Sequence, residues 1–379
     1  MRILSVSNCP LVETQGSGYV TLNFVKGLRE RGHEVEVLGS ETNELLPFLR
    51  GRARSYRVTL GMFLHVCRRL LSRSVDIVEF YGAESWLAVM FLSIIPQRKF
   101  LVVHHSNGIE MHATETLRRH IGSRSLDGSK EKWYQLDLSR LSKLAFTKID
   151  GLVTVGTADR NFALKEKYQD ADHVVAIDNS LPDAFLNINP RPRDKTVIGF
   201  CGTWSARKGC ESIKNDMSRV LTEFPDCQLK LIGVGNNFRK EEIFSTALCS
   251  RIQVIPFVAE KADLKELYQT ISILILPSIY ESFGLVAAEA MACGCAVVAS
   301  RTGFAASLKE GEEVLLMDEP GSPHLYECVK RLLLDDDALR QTIAAGGHKR
   351  VQALRWDTAI DTLEATYRRW LNELNRSTG

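Results

Sequence analysis

The feature that most restricts this chain is an alternation, repeated along its whole length, of short apolar runs with stretches of helical period. Residues 3–6, 33–38, 77–80, 100–103, 151–155 and 174–177 read as strands, and Val20, Phe24, Val25 and Leu28 share one helical face between the first two. Continuous apolar strands separated by amphipathic helices imply parallel sheets covered on both faces. Prolines 182, 190 and 192 then gather between periodic segments, as an interdomain connection would. Beyond them 197–201, 229–233, 252–255, 271–276 and 296–299 repeat the strand pattern. The expectation is an α/β chain of two doubly wound domains, 1–185 and 186–355, facing a central cleft. In such sheets ligands bind outside the carboxyl ends of the strands, so the loops after the strands carry the chemistry.

Length and charge narrow the function classes. A chain of 379 residues has room for two such cores. Lys+Arg 48 against Asp+Glu 46 is too balanced for a nucleic-acid partner. The longest apolar run, 86–95, is far short of the ~20 residues of a membrane helix. The apolar start is broken at once by Asn8-Cys9-Pro10, which suits a first strand better than a secretion signal. Nine cysteines scattered without metal-ligand spacing read as free thiols, and with that a cytoplasmic, reducing compartment is expected.

Three loops hold candidate chemistry. Gly16-Ser17-Gly18 follows the first strand and opens a helix, which suits either a tight turn or an anion site. A third glycine is missing, since Thr21 stands there, and no acidic residue ends the second strand; a nicotinamide cofactor is disfavoured. After the strand at 197–201 comes Gly202-Thr203-Trp204-Ser205-Ala206-Arg207-Lys208-Gly209. Arg207 beside Lys208 suits a diphosphate, although two adjacent cations are equally what a solvated loop carries. The third loop, after 271–276, runs Pro277-Ser278-Ile279-Tyr280-Glu281-Ser282-Phe283-Gly284-Leu285, and Glu289 follows in an apolar helix. Glu281 can accept from hydroxyls beside the amides of Phe283, Gly284 and Leu285. Glu289, among apolar neighbours, needs a partner, and a ribose diol would serve. A helix cap and a satisfied core carboxylate would explain the same pair.

With these residues laid out, the chain resembles the retaining, nucleotide-sugar-dependent glycosyltransferases of GT-B fold, the glycosyl transferases group 1. The family's E-x7-E signature matches Glu281 and Glu289 within PSIYESFGLVAAEAMACGCAVVAS at 277–300. The glycine loop, the L-x-x-R-G-H-x-V pattern at 28–35, the segment IDNSLPDAF at 177–185 and Arg-Lys-Gly at 207–209 fall in family order. Three departures stand out: Thr203 replaces the common arginine, Ser180 replaces a usual glycine, and the histidine near the donor sugar has two candidates. His105 is read as directly following a strand, whereas matching to S-H-G-x-E places Asn107 there.

The resemblance implies an acceptor-binding domain at 1–185, completed by a crossover helix within 356–379, and a donor-binding domain at 186–355. It implies Arg207, Lys208, Glu281 and His105 as catalytic, and Gly16, Gly18, Asn107, Val258, Ser282, Phe283, Gly284, Leu285 and Glu289 at the donor. The donor would be a nucleoside-diphosphate sugar and the acceptor a glycan, lipid or small molecule, with neither cofactor nor metal. Transfer would proceed by a front-face mechanism in which the leaving phosphate takes the acceptor proton. An epimerase or hydrolase of the same fold, or a non-catalytic sugar-nucleotide-binding subunit, is the alternative. Asp335-Asp336-Asp337 has the look of a metal-binding D-x-D, but it precedes a helix, where acidic residues cap.

One segment is left over. Residues 45–75 hold seven arginines (50, 52, 54, 57, 68, 69 and 73) and no acidic residue, with Leu60, Phe63, Leu64, Cys67, Leu70 and Leu71 on one helical face. Either that face packs on the core with the arginines in water, or the segment meets an anionic membrane or a charged acceptor. Residues 114–132, polar and rich in Arg, Ser and Gly, read as a mobile loop that family position would put near the acceptor.

Overall fold

The structure, a computed structural model, describes residues 1–12, 16–46, 54–121, 140–191, 196–320, 324–334 and 337–378. These fall into two compact units, one built from 1–114, 140–179 and 356–378 and the other chiefly from 180–355. Arg50, Arg52, residues 122–132 and Asp335-Asp336 lie outside the described residues.

The first unit is a six-stranded parallel sheet in the order β2-β1-β3-β4-β5-β6. Its strands are β1 (Arg2–Ser7), β2 (Glu34–Leu38), β3 (Ile77–Tyr81), β4 (Leu101–Ser106), β5 (Gly151–Thr154) and β6 (Val174–Ala176). Every residue of β3, β4 and β5 is buried, which is why these runs are apolar without alternation. Leu4, Val6, Leu38, Val78, Phe80, Val102, Leu152 and Val174 form the sheet's part of the core. The helix Trp356–Thr378 belongs to this unit and buries Tyr367 and Trp370; the Trp356 indole donates to the Tyr19 hydroxyl at 2.8 Å.

Inside the first sheet sits a carboxylate. Glu79 accepts from Ser5 Oγ at 2.6 Å, the Tyr81 hydroxyl at 3.1 Å and the Tyr367 hydroxyl at 2.5 Å, and faces His105 Nδ1 at 2.9 Å. Burial pushes the Glu79 carboxyl up, but His105 and the hydroxyls outweigh it, so the group lies below the usual carboxylate range.

The second unit repeats the architecture in the order β12-β11-β10-β7-β8-β9, again all parallel. The strands are β7 (Val197–Cys201), β8 (Gln228–Ile232), β9 (Ile252–Ile255), β10 (Ile273–Leu276), β11 (Ala296–Ser300) and β12 (Leu315–Met317). The strand order reverses between β7 and β10, so the crevice at their carboxyl ends is where this topology places a ligand.

Four local readings are corrected. β4 runs to Ser106, so His105 lies within the strand rather than after it. Residues 114–121 are helical, in Glu110–Ile121, where a loop was expected. β12, three residues long, is too short to show a period in the sequence; its pairing with β11 forms it. In the helix Arg54–Ser72 it is Val58, Met62 and Val66 that face the core. The expected stripe is split: Phe63 and Leu70 pack against the core half-buried, whereas Leu60, Leu64 and Leu71 are left at 44%, 47% and 90% exposure. Nor are the arginines merely solvated: Arg54 and Arg57 reach Glu44 at 2.8 and 3.2 Å, and Arg69 and Arg73 reach Glu36 at 2.7 and 3.9 Å.

Candidate active site

The loops after β7 and β10 are in backbone contact at the reversal point. Ala206–Lys208 makes a single 3-10 turn that closes on Gly209 at φ 75°, where the helix Cys210–Glu223 begins. A Cβ at 209 would lie 2.1 Å from the Pro277 carbonyl oxygen, and the Ile279 amide donates to the Arg207 carbonyl at 2.8 Å. Only glycine fits that conformation and that approach.

This contact brings Lys208 to Glu281. The ammonium donates to Glu281 Oε1 at 2.5 Å, and Ser278 Oγ donates to the same oxygen at 2.7 Å. Both members of the ion pair are 12% exposed. Oε2 has no partner among the described residues. The Glu281 amide donates to Thr302 Oγ1 at 3.0 Å, tying the loop to the segment after β11. Arg207 is exposed, and among the described residues its guanidinium has no ion-pair partner.

Past Glu281 the chain passes half-buried Ser282 and buried Phe283, whose ring packs on Phe304 at 5.2 Å, to Gly284 at φ 86°. Gly284 starts the helix Leu285–Ala292, with Leu285 half-buried. The first amides of a helix have no intrahelical partner and form its positive end, here just beyond the Lys208–Glu281 pair.

Glu289, 2% exposed, lies on that helix. Its carboxylate has partners within the protein, as the core-carboxylate reading expects. Lys261 Nζ donates to Oε1 at 2.5 Å and the Tyr268 hydroxyl to Oε2 at 3.3 Å. Burial, then the neighbouring Cys201 and Glu289, hold the Tyr268 hydroxyl well above its ordinary range, so it stays a neutral donor. Lys261, at the start of the helix Lys261–Gln269, is 34% exposed and follows half-buried Val258 by three residues. Nothing in the sequence points to Lys261, because its partner is 28 residues away on another helix.

The other candidates are in the first unit. His105 is fully buried, its Nδ1 engaged with Glu79 and Tyr81 and its ring against Phe24 at 4.5 Å and Tyr81 at 4.8 Å. Asn107, the first residue past β4, is half-buried, and its buried Oδ1 has no hydrogen-bond partner among the described residues. Gly18 is buried where a Cβ would come 2.6 Å from the Pro10 and Val12 carbonyl oxygens, so close packing already requires glycine there; Gly16 is exposed in open space. Asp337 precedes the helix Ala338–Val351 and pairs with Arg340 at 3.2 Å. Among the described residues no cluster of three His, Cys, Asp or Glu side chains could hold a metal ion.

Comparison with known proteins gives this arrangement a class. Residues 195–335 match the family described as Glycosyl transferases group 1, so this stretch is a group 1 glycosyl transferase domain. The whole chain has the fold of the two-domain GT-B glycosyltransferases. It is similar to D-inositol 3-phosphate glycosyltransferase of Thermobifida fusca, 27% identical over 48% of this chain and 44% of that protein. The homonymous protein of Acidothermus cellulolyticus is 36% identical over 48% of this chain and 43% of its own. The chain thus spans about half the length of the curated relatives it matches. Among solved structures, a sucrose-phosphate synthase from Thermosynechococcus elongatus superposes with TM-score 0.81 at 17% identity, covering 98% of this chain and 100% of that one. Anabaena HepE in complex with UDP-glucose superposes with TM-score 0.68 at 16% identity, over 97% and 100%.

Proposed function

We propose that this protein is a retaining glycosyltransferase that transfers a sugar from a nucleoside-diphosphate sugar to a glycan, lipid or small-molecule acceptor. The observation that carries the reading is the Lys208–Glu281 pair, held at the sheet's reversal point inside a group 1 glycosyl transferase domain. Lys208 is fixed by its partner before any ligand arrives, so little side-chain entropy is lost when it meets a phosphate. Arg207 supplies a second cation, and the start of the helix Leu285–Ala292 supplies amides. Glu281 Oε2 is left to accept from sugar hydroxyls, while Glu289, steadied by Lys261, faces the ribose. Capture of HepE with UDP-glucose supports a nucleotide sugar as the donor class.

The leaving diphosphate takes the acceptor proton as the sugar transfers on the same face, and Lys208 and Arg207 stabilise the charge that develops. At the end of β4, Asn107 Oδ1 and His105 Nε2 are both unpartnered among the described residues, and Asn107, half-buried where His105 is fully buried, is the more accessible candidate for the donor sugar. The phosphate charge is met by side chains, so activity is expected to survive excess EDTA; loss with chelator and rescue by manganese or magnesium would contradict this phosphate chemistry.

The direct test is a thermal-shift panel of nucleoside diphosphates and their sugars, followed by product analysis with the best donor. A new glycoside retaining the donor's anomeric configuration is the expected result. Release of free sugar or an epimer without an acceptor product would show a hydrolase or epimerase, and binding without turnover a non-catalytic subunit.

A further inference from the structure

The carboxyl end of the first sheet carries chemistry that the donor does not use. After β4 the chain turns at Gly108, φ 138°, into the helix Glu110–Ile121, and after β5 it enters the helix Thr157–Lys165. His112 in the first helix and Asp159 in the second form a dyad, Nδ1 to Oδ1 at 2.6 Å, with Asp159 only 1% exposed. The other carboxylate oxygen accepts from the Ile109 amide at 3.3 Å, and the imidazole stacks on Phe162 at 4.5 Å and 14°. The ring is thus fixed by its edge and by its face, and the His112 side chain stays 22% exposed. A carboxylate at Nδ1 holds the proton there, which makes Nε2 the accepting nitrogen.

Charge selects the molecule that meets this nitrogen. Among the described residues no Lys or Arg stands in the segments that follow the six strands, at 8–12, 39–46, 82–85, 107–109, 155–156 and 177–179. Carboxylates gather there instead. Loss of water, then the charges of Glu84 and Asp159, push the Glu110 carboxyl up to about 7. An anionic group would be repelled at this end, whereas the second unit offers it Lys208 and Arg207. Hydroxyls both donate and accept, and they need no counter-charge. Asn107 Oδ1 and Ser85 Oγ, just past β4 and β3, have no hydrogen-bond partner among the described residues, and Ser85 is fully buried. We propose that this end of the first unit holds an uncharged sugar as the acceptor, with one hydroxyl donating to His112 Nε2, Asp159 positioning the ring, and Glu84 and Glu110 turning away phosphorylated acceptors. This rests on the transfer reaction proposed above and leaves its step unchanged. The reacting hydroxyl gives its proton to the leaving phosphate, and the hydroxyl at His112 is a neighbour that orients the sugar.

Ligand-observed NMR of the full chain at about pH 8, where Glu110 is ionised, reads this binding without turnover. The probes are the methyl α-glycosides of glucose, galactose and mannose, with glucose 6-phosphate beside them. At least one glycoside should bind about tenfold or more tightly than the phosphate. His112→Ala should weaken that glycoside by about 3- to 10-fold, the worth of one hydrogen bond, while binding of UDP stays at the parent's level. His112→Gln, which returns an amide to the place of Nε2, should recover part of the loss and guards against a folding defect. Asp159→Asn should weaken the glycoside alike and shift the His112 ring nitrogens away from a single Nδ1–H form in their NMR spectrum. Glu84→Gln with Glu110→Gln should bring glucose 6-phosphate within about threefold of the glycoside. Binding of none of the glycosides, tighter binding of glucose 6-phosphate, or glycoside binding unchanged in His112→Ala would overturn the proposal. A parent chain that binds a glycoside through His112 but no nucleoside diphosphate would fail the donor reading while the sugar site stood.

Discussion

Glu281 and Glu289 are eight residues apart and chemically identical, yet their surroundings divide the work. Glu281 is in a loop with one oxygen unpartnered, and Glu289 is inside a helix with both oxygens engaged. Glu281→Gln should weaken sugar-nucleotide binding by about tenfold or more, the worth of one hydrogen bond to a charged group, and weaken the bare nucleoside diphosphate less, since Lys208 keeps its charge and loses only its charged anchor. Glu289→Gln should weaken both ligands together. It should also cost stability on the order of 1 kcal/mol, because Lys261, 34% exposed, loses a charged acceptor but stays in reach of water. Calorimetry of each ligand, with urea melts of each variant, checks both statements; equal weakening of both ligands by Glu281→Gln would refute the division. The glutamates were legible in the sequence because their spacing is a local pattern. Lys261, Tyr268 and Ser278, which hold them, were not, because nothing local marks a lysine whose partner lies on another helix.

Elements show the same limit. The strands were readable wherever a run is buried on both faces, as in β3 and β10, but the rotation of the helix Arg54–Ser72 was not. That helix has two apolar stripes, and only packing decides which of their residues go inward. The loop after β7 yields a prediction of its own. Gly209→Ala must strain φ 75° and drive a Cβ into the Pro277 carbonyl, so it should cost more than about 2 kcal/mol in a urea melt and displace Lys208. An unchanged melt would mean that the two loops are not in contact. In β4, His104 is fully buried against Phe146, and burial, then neighbouring His105, push its pKa down to about 3. The unfolded chain takes up that proton near the ordinary value of about 6.5, so the neutral ring's contribution is intact above it. As pH falls from about 6.5 towards 3, stability should drop by about 1.4 kcal/mol per unit from this group, and His104→Leu should flatten that slope. An identical pH profile in the variant would show that His104 is not buried neutral.

At the scale of the molecule, two parallel sheets reverse their strand order beside their first strands, and in the second unit that reversal coincides with the Lys208–Glu281 pair. The fold was legible because alternation of strand and helix leaves few topologies open. Which unit holds which ligand rests on the resemblance alone, since it depends on side chains the topology merely gathers. Under the proposed function the second unit grips a nucleoside diphosphate through Lys208. Isothermal calorimetry of the parent and Lys208→Ala, with nucleoside diphosphate and monophosphate side by side, tests it most directly. Loss of a charged donor should lower diphosphate affinity by about 10- to 100-fold and leave the monophosphate nearly unchanged. Equal loss for both ligands, or none for either, would contradict the account.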